Sequence, residues 1–419
     1  MPAISVIIPT YNAAKYLREA LDSLLAQTFS DWEAVCVNDG STDNSLEILQ
    51  EYASQDPRFR VLDGPNGGYG KAMNRGMDAA AGKYMAILEP DDILPPDAYK
   101  TLFNLAEEHG VDVVRGGLCQ FYEENGEKVF SHPVDFCVKD RVFCPRCHDN
   151  VFFMAPNTVC ALYRLDYLRR MSIRYHESPG ASFQDTSFFF RSLSFAQSML
   201  VTGAVVYLYR QDNPSSSINT IDSKWQVLTK EYDFLESRLR EQEDMWPELE
   251  PLFRAKFIES HMWFYNRLTE IRRRDFAALF RERVQQMPSV PYERLPMAHR
   301  PAVEALMKSE VAFMERKATI RVSLSGQNGK IHSGGKVVYE QVCPGVQVPV
   351  AVEKACKVLG IPVCSMTGGK DLTVFRILGI PVLKRRRSLL TQAAPDGVPA
   401  AVGYVQEYLL LGIHIYKRK

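Results

Sequence analysis

The sequence has no uninterrupted apolar run near the ~20 residues that a membrane-spanning helix needs, so the chain is not expected to cross a bilayer. It has no charge excess either. Fifty basic and fifty acidic residues cancel, which speaks against a protein whose main work is coating nucleic acid. The first residues, Met-Pro-Ala-Ile-Ser-Val-Ile-Ile-Pro9, lack the basic leader and cleavage pattern of a secretory signal. A cytoplasmic setting with reduced thiols is therefore expected for the nine cysteines. Complete glycine fingerprints are missing as well. Gly68-Tyr-Gly70 stops short of a dinucleotide turn, and Gly334-Gly-Lys lacks the spacing and the hydroxyl residue of a phosphate loop. Dehydrogenase and ATPase readings gain nothing. Cys144-Pro-Arg-Cys147-His148, with Cys137 upstream, offers a single C-x2-C and no distant second pair. Unpaired reduced thiols fit that spacing better than structural zinc.

What is present is globular: 419 residues, 46% hydrophobic and 24% charged. Short apolar runs predict strands at 4–8, 33–38, 59–62, 83–88, near 111–116 and at 204–210. Helical spacing falls between them. Leu17, Leu21, Leu24 and Leu25 share one face, Asn44 and Glu47 match a capping box, and residues 71–80 form a small-residue helix. The alternation implies an α/β fold with a mostly parallel sheet and flanking helices. Residues 1–220 are expected to form that domain, 221–320 a helical region, and 321–419 a small α/β or mixed subdomain.

Open sheets of this kind bind ligands outside the carboxyl ends of their strands. Thr10-Tyr-Asn12, Asn38-Asp-Gly-Ser41 and Glu89-Pro-Asp-Asp92 all fall at such ends. Two carboxylates around Pro90 can hold a divalent cation through oxygen, although a solvated turn alone would also explain them. Pro90 stiffens the turn through its fixed φ.

The run Ser5-Val-Ile-Ile-Pro-Thr-Tyr-Asn12, then Gln27-Thr-Phe29, Val37-Asn-Asp-Gly-Ser-Thr-Asp-Asn-Ser45, Asn66-Gly-Gly, Ala72-Met-Asn74 and Gly82-Lys-Tyr84 resembles a family 2 glycosyltransferase. The resemblance is dense over residues 3–95 and recognisable to about 217. It implies the GT-A fold and inverting transfer from a nucleotide-sugar, often in bacterial surface-polysaccharide synthesis. By this resemblance Pro9, Thr10, Tyr11 and Asn12 lie where the nucleotide is held, and Asp39 bonds the base, usually uracil. Asn66, Gly67 and Asn74 line the nucleotide-sugar side, with Glu89 and Pro90 beside them. Asp91 and Glu89 match the motif that binds Mn²⁺ or Mg²⁺. The usual first acid there is aspartate, and glutamate carries its charge roughly 1.5 Å farther out, so Asp91 ranks first as ligand.

Asp185 opens an apolar helix, where the positive helix end favours a carboxylate. An ordinary cap explains it alone; the resemblance makes it the base that takes the acceptor's proton. Gln184, His176 and Arg210 are candidate acceptor-side residues, and a salt-bridged arginine ending a strand explains Arg210 equally well. The expected partners are a UDP-sugar and a saccharide or lipid-linked acceptor. Peripheral contact with the cytoplasmic membrane face is a further expectation. It rests on two similar apolar segments ending in Lys384-Arg-Arg-Arg387 and Lys417-Arg-Lys419, which two solvated ends of a small subdomain would also explain. A non-catalytic glycan-binding scaffold and a nucleotidyltransferase are the alternatives, and the latter lacks its glycine-rich phosphate loop.

Overall fold

The computed structural model describes residues 1–131, 141–216, 222, 224–296 and 299–314 with their side chains, and beyond these the backbone of strands between 320 and 418. It has two compact units, Met1–Arg316 and Lys317–Lys419.

In the first unit, β1 (Ile4–Thr10) is buried along its whole length, as its continuous apolar run requires. It pairs in parallel with β2 (Trp32–Asn38), which pairs in parallel with β3 (Phe59–Leu62). On its other side β1 takes β4 (Tyr84–Ile87), again parallel. The crossovers are α1 (Ala14–Leu25), α2 (Ser45–Gln55) and α3 (Tyr69–Ala79). Successive β1 residues face opposite layers. Ile4, Val6 and Ile8 pack with Leu17, Leu21 and Leu24 of α1, whereas Ile7 packs with Met73 and Met77 of α3. Asn44 precedes α2 but makes no side-chain cap. Asp43 serves instead, accepting from the Ser45 N–H at 3.0 Å and from the Ala14 N–H at 3.0 Å.

After α4 (Ala98–His109) the sheet becomes mixed. It gains β5 (Val113–Glu124), β6 (Glu127–Phe130), β7 (Val142–Phe143), β8 (Ala161–Arg164) and β9 (Met199–Arg210). The nine strands run β3-β2-β1-β4-β8-β5-β9-β7, with β6 paired to β5. β8 is antiparallel to both β4 and β5, while β5 and β9 are parallel. The sequence reading passed over β8 because its four residues carry too little alternation to register. Between β8 and β9 lie α5 (Leu165–Arg170) and α6 (Gln184–Ser194).

The helical stretch comprises α7 (Val227–Arg240), α8 (Trp246–Tyr265), α9 (Glu270–Gln285), α10 (Arg300–Lys308) and α11 (Glu310–Met314). Leu235, Phe257 and Phe276 share one core with Phe188 and Phe190 of α6. A domain boundary at 220 therefore has no counterpart: the apolar faces of these helices close over one side of the sheet. His261 of α8 is fully buried against the rings of Phe257, Phe276 and Phe280. Burial pushes its imidazole down to about 3.

Residues 321–419 were expected to be α/β or mixed. The described elements there are strands, three in one antiparallel sheet and six in another. The two similar basic segments begin Ile380–Ala393 and Ile413–Arg418, each just after a hairpin partner. Their likeness is that of repeated hairpin strands. The basic run 384–387 lies inside a strand paired on both sides.

Replacing Phe257, which is fully buried, with Ala is expected to cost about 3–5 kcal/mol. Hydrogen exchange should show β1 and β2 losing protection together with α8. Loss confined to α7–α9 would indicate a separate helical domain.

Candidate active site

The carboxyl ends of β1, β2 and β4 form one edge, and the backbone ties them. The Asp39 N–H donates to the Thr10 carbonyl at 2.9 Å, and the Leu88 N–H to that of Ile7 at 3.0 Å. Pro9 and Thr10 are buried, with the Thr10 hydroxyl 3.3 Å from the Ile8 carbonyl. Tyr11 is 52% exposed, and Asn12, at φ 49°, is exposed beside it. Asn12 Oδ1 accepts from the Thr42 N–H at 2.7 Å, so the two loops brace each other.

Asp39 is buried, and its carboxylate accepts from the N–H groups of Gly67 and Gly68, each at 2.9 Å. This fixes the 64–68 segment against the end of β2. Gly40 is at φ +71°, and a Cβ there would stand 2.5 Å from the Asn66 nitrogen. Asn66 is exposed at this wall and Gly67 half-buried. Asn74, expected to face a sugar, is turned elsewhere. It is buried, and its side chain exchanges hydrogen bonds with the Tyr175 backbone at 2.9 and 3.0 Å and donates to Glu177 at 2.9 Å. It clamps the 175–182 loop onto α3.

That loop is seated on two glycines. A Cβ on Gly70 would overlap the His176 carbonyl, and one on Gly68, at φ +88°, would come within 2.9 Å of the Gly180 nitrogen. The Tyr69 N–H donates to the Gly180 carbonyl at 3.0 Å. Tyr69, held between them, donates its hydroxyl to Glu89 Oε1 at 2.7 Å. The sequence reading overlooked Tyr69. In the sequence its flanking glycines resemble part of a nucleotide fingerprint, and nothing local marks them as a seat for a distant loop.

Glu89, Pro90 and Asp91 are partly exposed and Asp92 is buried. The Glu89 N–H donates to the Tyr207 hydroxyl at 3.0 Å, and Asp91 Oδ2 accepts from Asn213 Nδ2 at 2.7 Å. Asp92 Oδ1 accepts from the Arg210 N–H at 2.8 Å, which makes it a structural tie. Arg210 is the salt-bridged arginine at the end of β9 rather than an acceptor-side group. Its guanidinium is buried against Glu19, Glu123 and Asp212, and Nε donates to the Asp91 carbonyl at 2.9 Å. It anchors the acidic turn from behind.

Burial, joined by the charges of Asp91 and Asp185, pushes Glu89 up to about 8 against the pull of Tyr69. Asp185, second residue of α6, is likewise lifted to about 7 by burial and by the charge of Glu231. The N–H of Thr186 and Lys256 pull the other way. A carboxylate at such a value can take a proton near neutrality and release it again. The Gln184 side chain is held by its own loop: its carbonyl accepts from the Ser182 N–H at 2.6 Å and its amide donates to Ser178 Oγ at 2.9 Å. His176 meets Glu231 at 2.7 Å.

Among the described residues no group of three or more His, Cys, Asp or Glu converges as a metal site, and Cys144, Cys147 and His148 form none; Cys137 lies outside those residues. Glu89 and Asp91 nevertheless fit Mg²⁺ or Mn²⁺. One or two carboxylates are the protein's usual share of that oxygen shell when phosphates and water complete it.

Residues 5–175 match the family model "Glycosyl transferase family 2". The chain is 33% identical over 227 residues to glycosyltransferase GlyG of Streptococcus pneumoniae serotype 4, covering 53% of this chain and 75% of that protein. It is 30% identical over 223 residues to an uncharacterized glycosyltransferase, EpsJ, of Bacillus subtilis, covering 52% of this chain and 63% of EpsJ. The fold is similar to that of S. aureus TarS residues 1–349 in complex with UDP-GlcNAc, with a TM-score of 0.59 at 19% identity over 80% of this chain and 98% of that one.

The raised carboxyls predict a stability cost. The folded protein holds more protons than the unfolded chain from the ordinary carboxyl range up to about 7 for Asp185 and about 8 for Glu89. Stability therefore falls as pH rises through that window and stays lowered above it. Asp185→Asn should melt above the parent at about pH 9, with the gap closing towards roughly pH 4. A pH-independent gap would contradict the burial of this carboxylate.

Proposed function

The chain belongs to glycosyltransferase family 2, and on that footing we propose that it is an inverting transferase with Asp185 as its base. The donor is a nucleotide-diphosphate sugar, with uracil as the base, and the acceptor is a saccharide or lipid-linked saccharide hydroxyl. The observation that carries this reading is that one sheet edge gathers Asp39, the Glu89-Pro90-Asp91 turn and the loop leading to Asp185, with Tyr69 bonded both to Glu89 and to Gly180 of that loop.

The nucleotide lies along Tyr11, Asn12, Asp39 and the 66–67 wall. Each Asp39 oxygen already accepts one backbone N–H and keeps a further lone pair for the ring N–H of the base. The diphosphate points towards Asp91 and Glu89, which would hold Mg²⁺ or Mn²⁺; when bound, such an ion would supply positive charge to offset that growing on the leaving diphosphate. Asp91 is the first ligand. Glu89, one oxygen of which is taken by Tyr69, faces the sugar. The acceptor O–H gives its proton to Asp185 as its oxygen attacks the anomeric carbon from the face opposite the diphosphate. The bond from that carbon to the phosphate oxygen breaks, the configuration inverts, and the nucleoside diphosphate departs. Asp185 then returns its proton to solvent.

No described helix is long and apolar enough to cross a membrane. Contact of the basic segments 384–387 and 417–419 with anionic lipid is proposed on their sequence alone. It predicts stronger retention of the chain by anionic than by neutral vesicles, lost in salt.

Asp185→Asn should lower turnover of a UDP-sugar by about 10²–10⁴-fold while leaving UDP binding intact. The parent's kcat/KM should rise with pH and level off above about 7. Chelation should stop turnover and Mn²⁺ restore it, with Asp91→Ala blocking the rescue. Near-parental turnover by Asp185→Asn would remove the proposed base.

A further inference from the structure

Glu231 sits on α7, in the stretch that the sequence placed outside the transferase domain. It is 1% exposed, and among the described ion pairs its one partner is His176, whose Nδ1 lies 2.7 Å from Oε2. Its Oε1 accepts from the hydroxyl of Ser187, two residues beyond Asp185. An ionised carboxylate can only accept, so the imidazole supplies an N–H. The same imidazole stacks on Phe234 of α7, with centroids 4.1 Å and planes 3° apart. One carboxylate thus joins the 175–182 loop, α6 and α7. Burying such a charge is costly, and an apolar residue would pack these elements at less expense. Gln184, beside Asp185 in sequence, spends its side chain on its own loop. The carboxylate whose charge acts on Asp185 comes from α7.

We propose that Glu231 is a positioning residue for the transfer reaction, tying the His176 loop to the helix of Asp185 so that the acceptor side of the cleft stays in register with the base. The proposal rests on Asp185 acting as that base. Asp185 faces Glu231 from α7, Lys256 from α8 and Glu89 from the acidic turn. The phenols near it, Tyr69, Tyr163, Tyr175, Tyr209 and Tyr232, are all shifted upward by burial and stay neutral in the working range. Of the groups facing Asp185, Glu231 is the one that both opposes its ionisation and is bonded to its helix.

The test is UDP-sugar hydrolysis by full-length variants across pH. Glu231→Gln places an amide N–H₂ or a neutral carbonyl where two donors now meet a charge. Turnover should fall by about 10–10²-fold with little change in donor KM, as a small misplacement of the base would cause. The ascending limb should also move to lower pH, because a negative neighbour is gone. Glu231→Asp should recover part of the rate. Ser187→Ala keeps the charge, so it should slow turnover without moving the limb. A Glu231→Gln protein that loses rate with its limb unmoved, or loses none, overturns the proposal. If the parent turns over no UDP-sugar, the functional reading fails separately. The tie is then read by hydrogen exchange at 175–182, where faster exchange in Glu231→Gln supports it and unchanged exchange overturns it.

Discussion

The site depends on a close backbone approach. Residues 176–180 lie against the start of α3 because Gly68 and Gly70 have no Cβ to hold them off. That contact brings a loop from beyond β8 to the edge formed by β1, β2 and β4. Asn74 then fastens it with three hydrogen bonds from a single side chain, and the same seat aims Tyr69 at Glu89. From Gly180 the chain needs only a short turn to reach α6, so the position of Asp185 follows from the glycines more than a hundred residues upstream. An alanine at either would shift the loop, and with it the separation of the two acidic groups.

The second constraint is electrostatic. Glu89, Asp91, Asp92, Asp185 and Glu231 concentrate negative charge in a partly closed space, and the protein does little to cancel it directly. Arg210 neutralises the scaffold behind the turn, through Glu19, Glu123 and Asp212. Lys256 is the cation that pulls on Asp185. Burial, joined by the remaining charge imbalance, lifts Glu89 and Asp185 towards neutrality. A site built in this way lowers the stability of the empty protein and favours whatever brings positive charge or protons into the cleft. The divalent ion and the acceptor hydroxyl proposed above would be such partners, so the burial and repulsion that weaken the fold would serve the proposed reaction.

Some of this could be read directly from the residues. The β1, β2 and β4 strands announce themselves as apolar runs, and the polar groups at their ends mark one edge of an α/β sheet. Asp39, Glu89, Asp91 and Asp185 could be named because a charged residue at a strand tip or helix start is conspicuous. Other residues were misjudged for a common reason. Asn74, Gln184 and Arg210 carry side chains suited to a ligand, yet each is spent on the protein's own backbone or carboxylates. Sequence shows what a side chain can bond, not which neighbour reaches it first. β8, with four residues, and the antiparallel strands after residue 319 were equally hard to place, since short runs carry little period.

The sequence by itself determined the α/β layering, the carboxyl-end location of the site and its acidic character, because periodicity and local charge are encoded within a few residues. Tertiary structure decided the rest. It folded α7–α11 into the transferase core, since their apolar faces have no other partner within the unit. It turned Gly68 and Gly70 into a loop seat, and it brought Glu231 beside Asp185 from forty-six residues away. Those outcomes depend on contacts between distant segments, where excluded volume and the competition for buried hydrogen bonds select one arrangement.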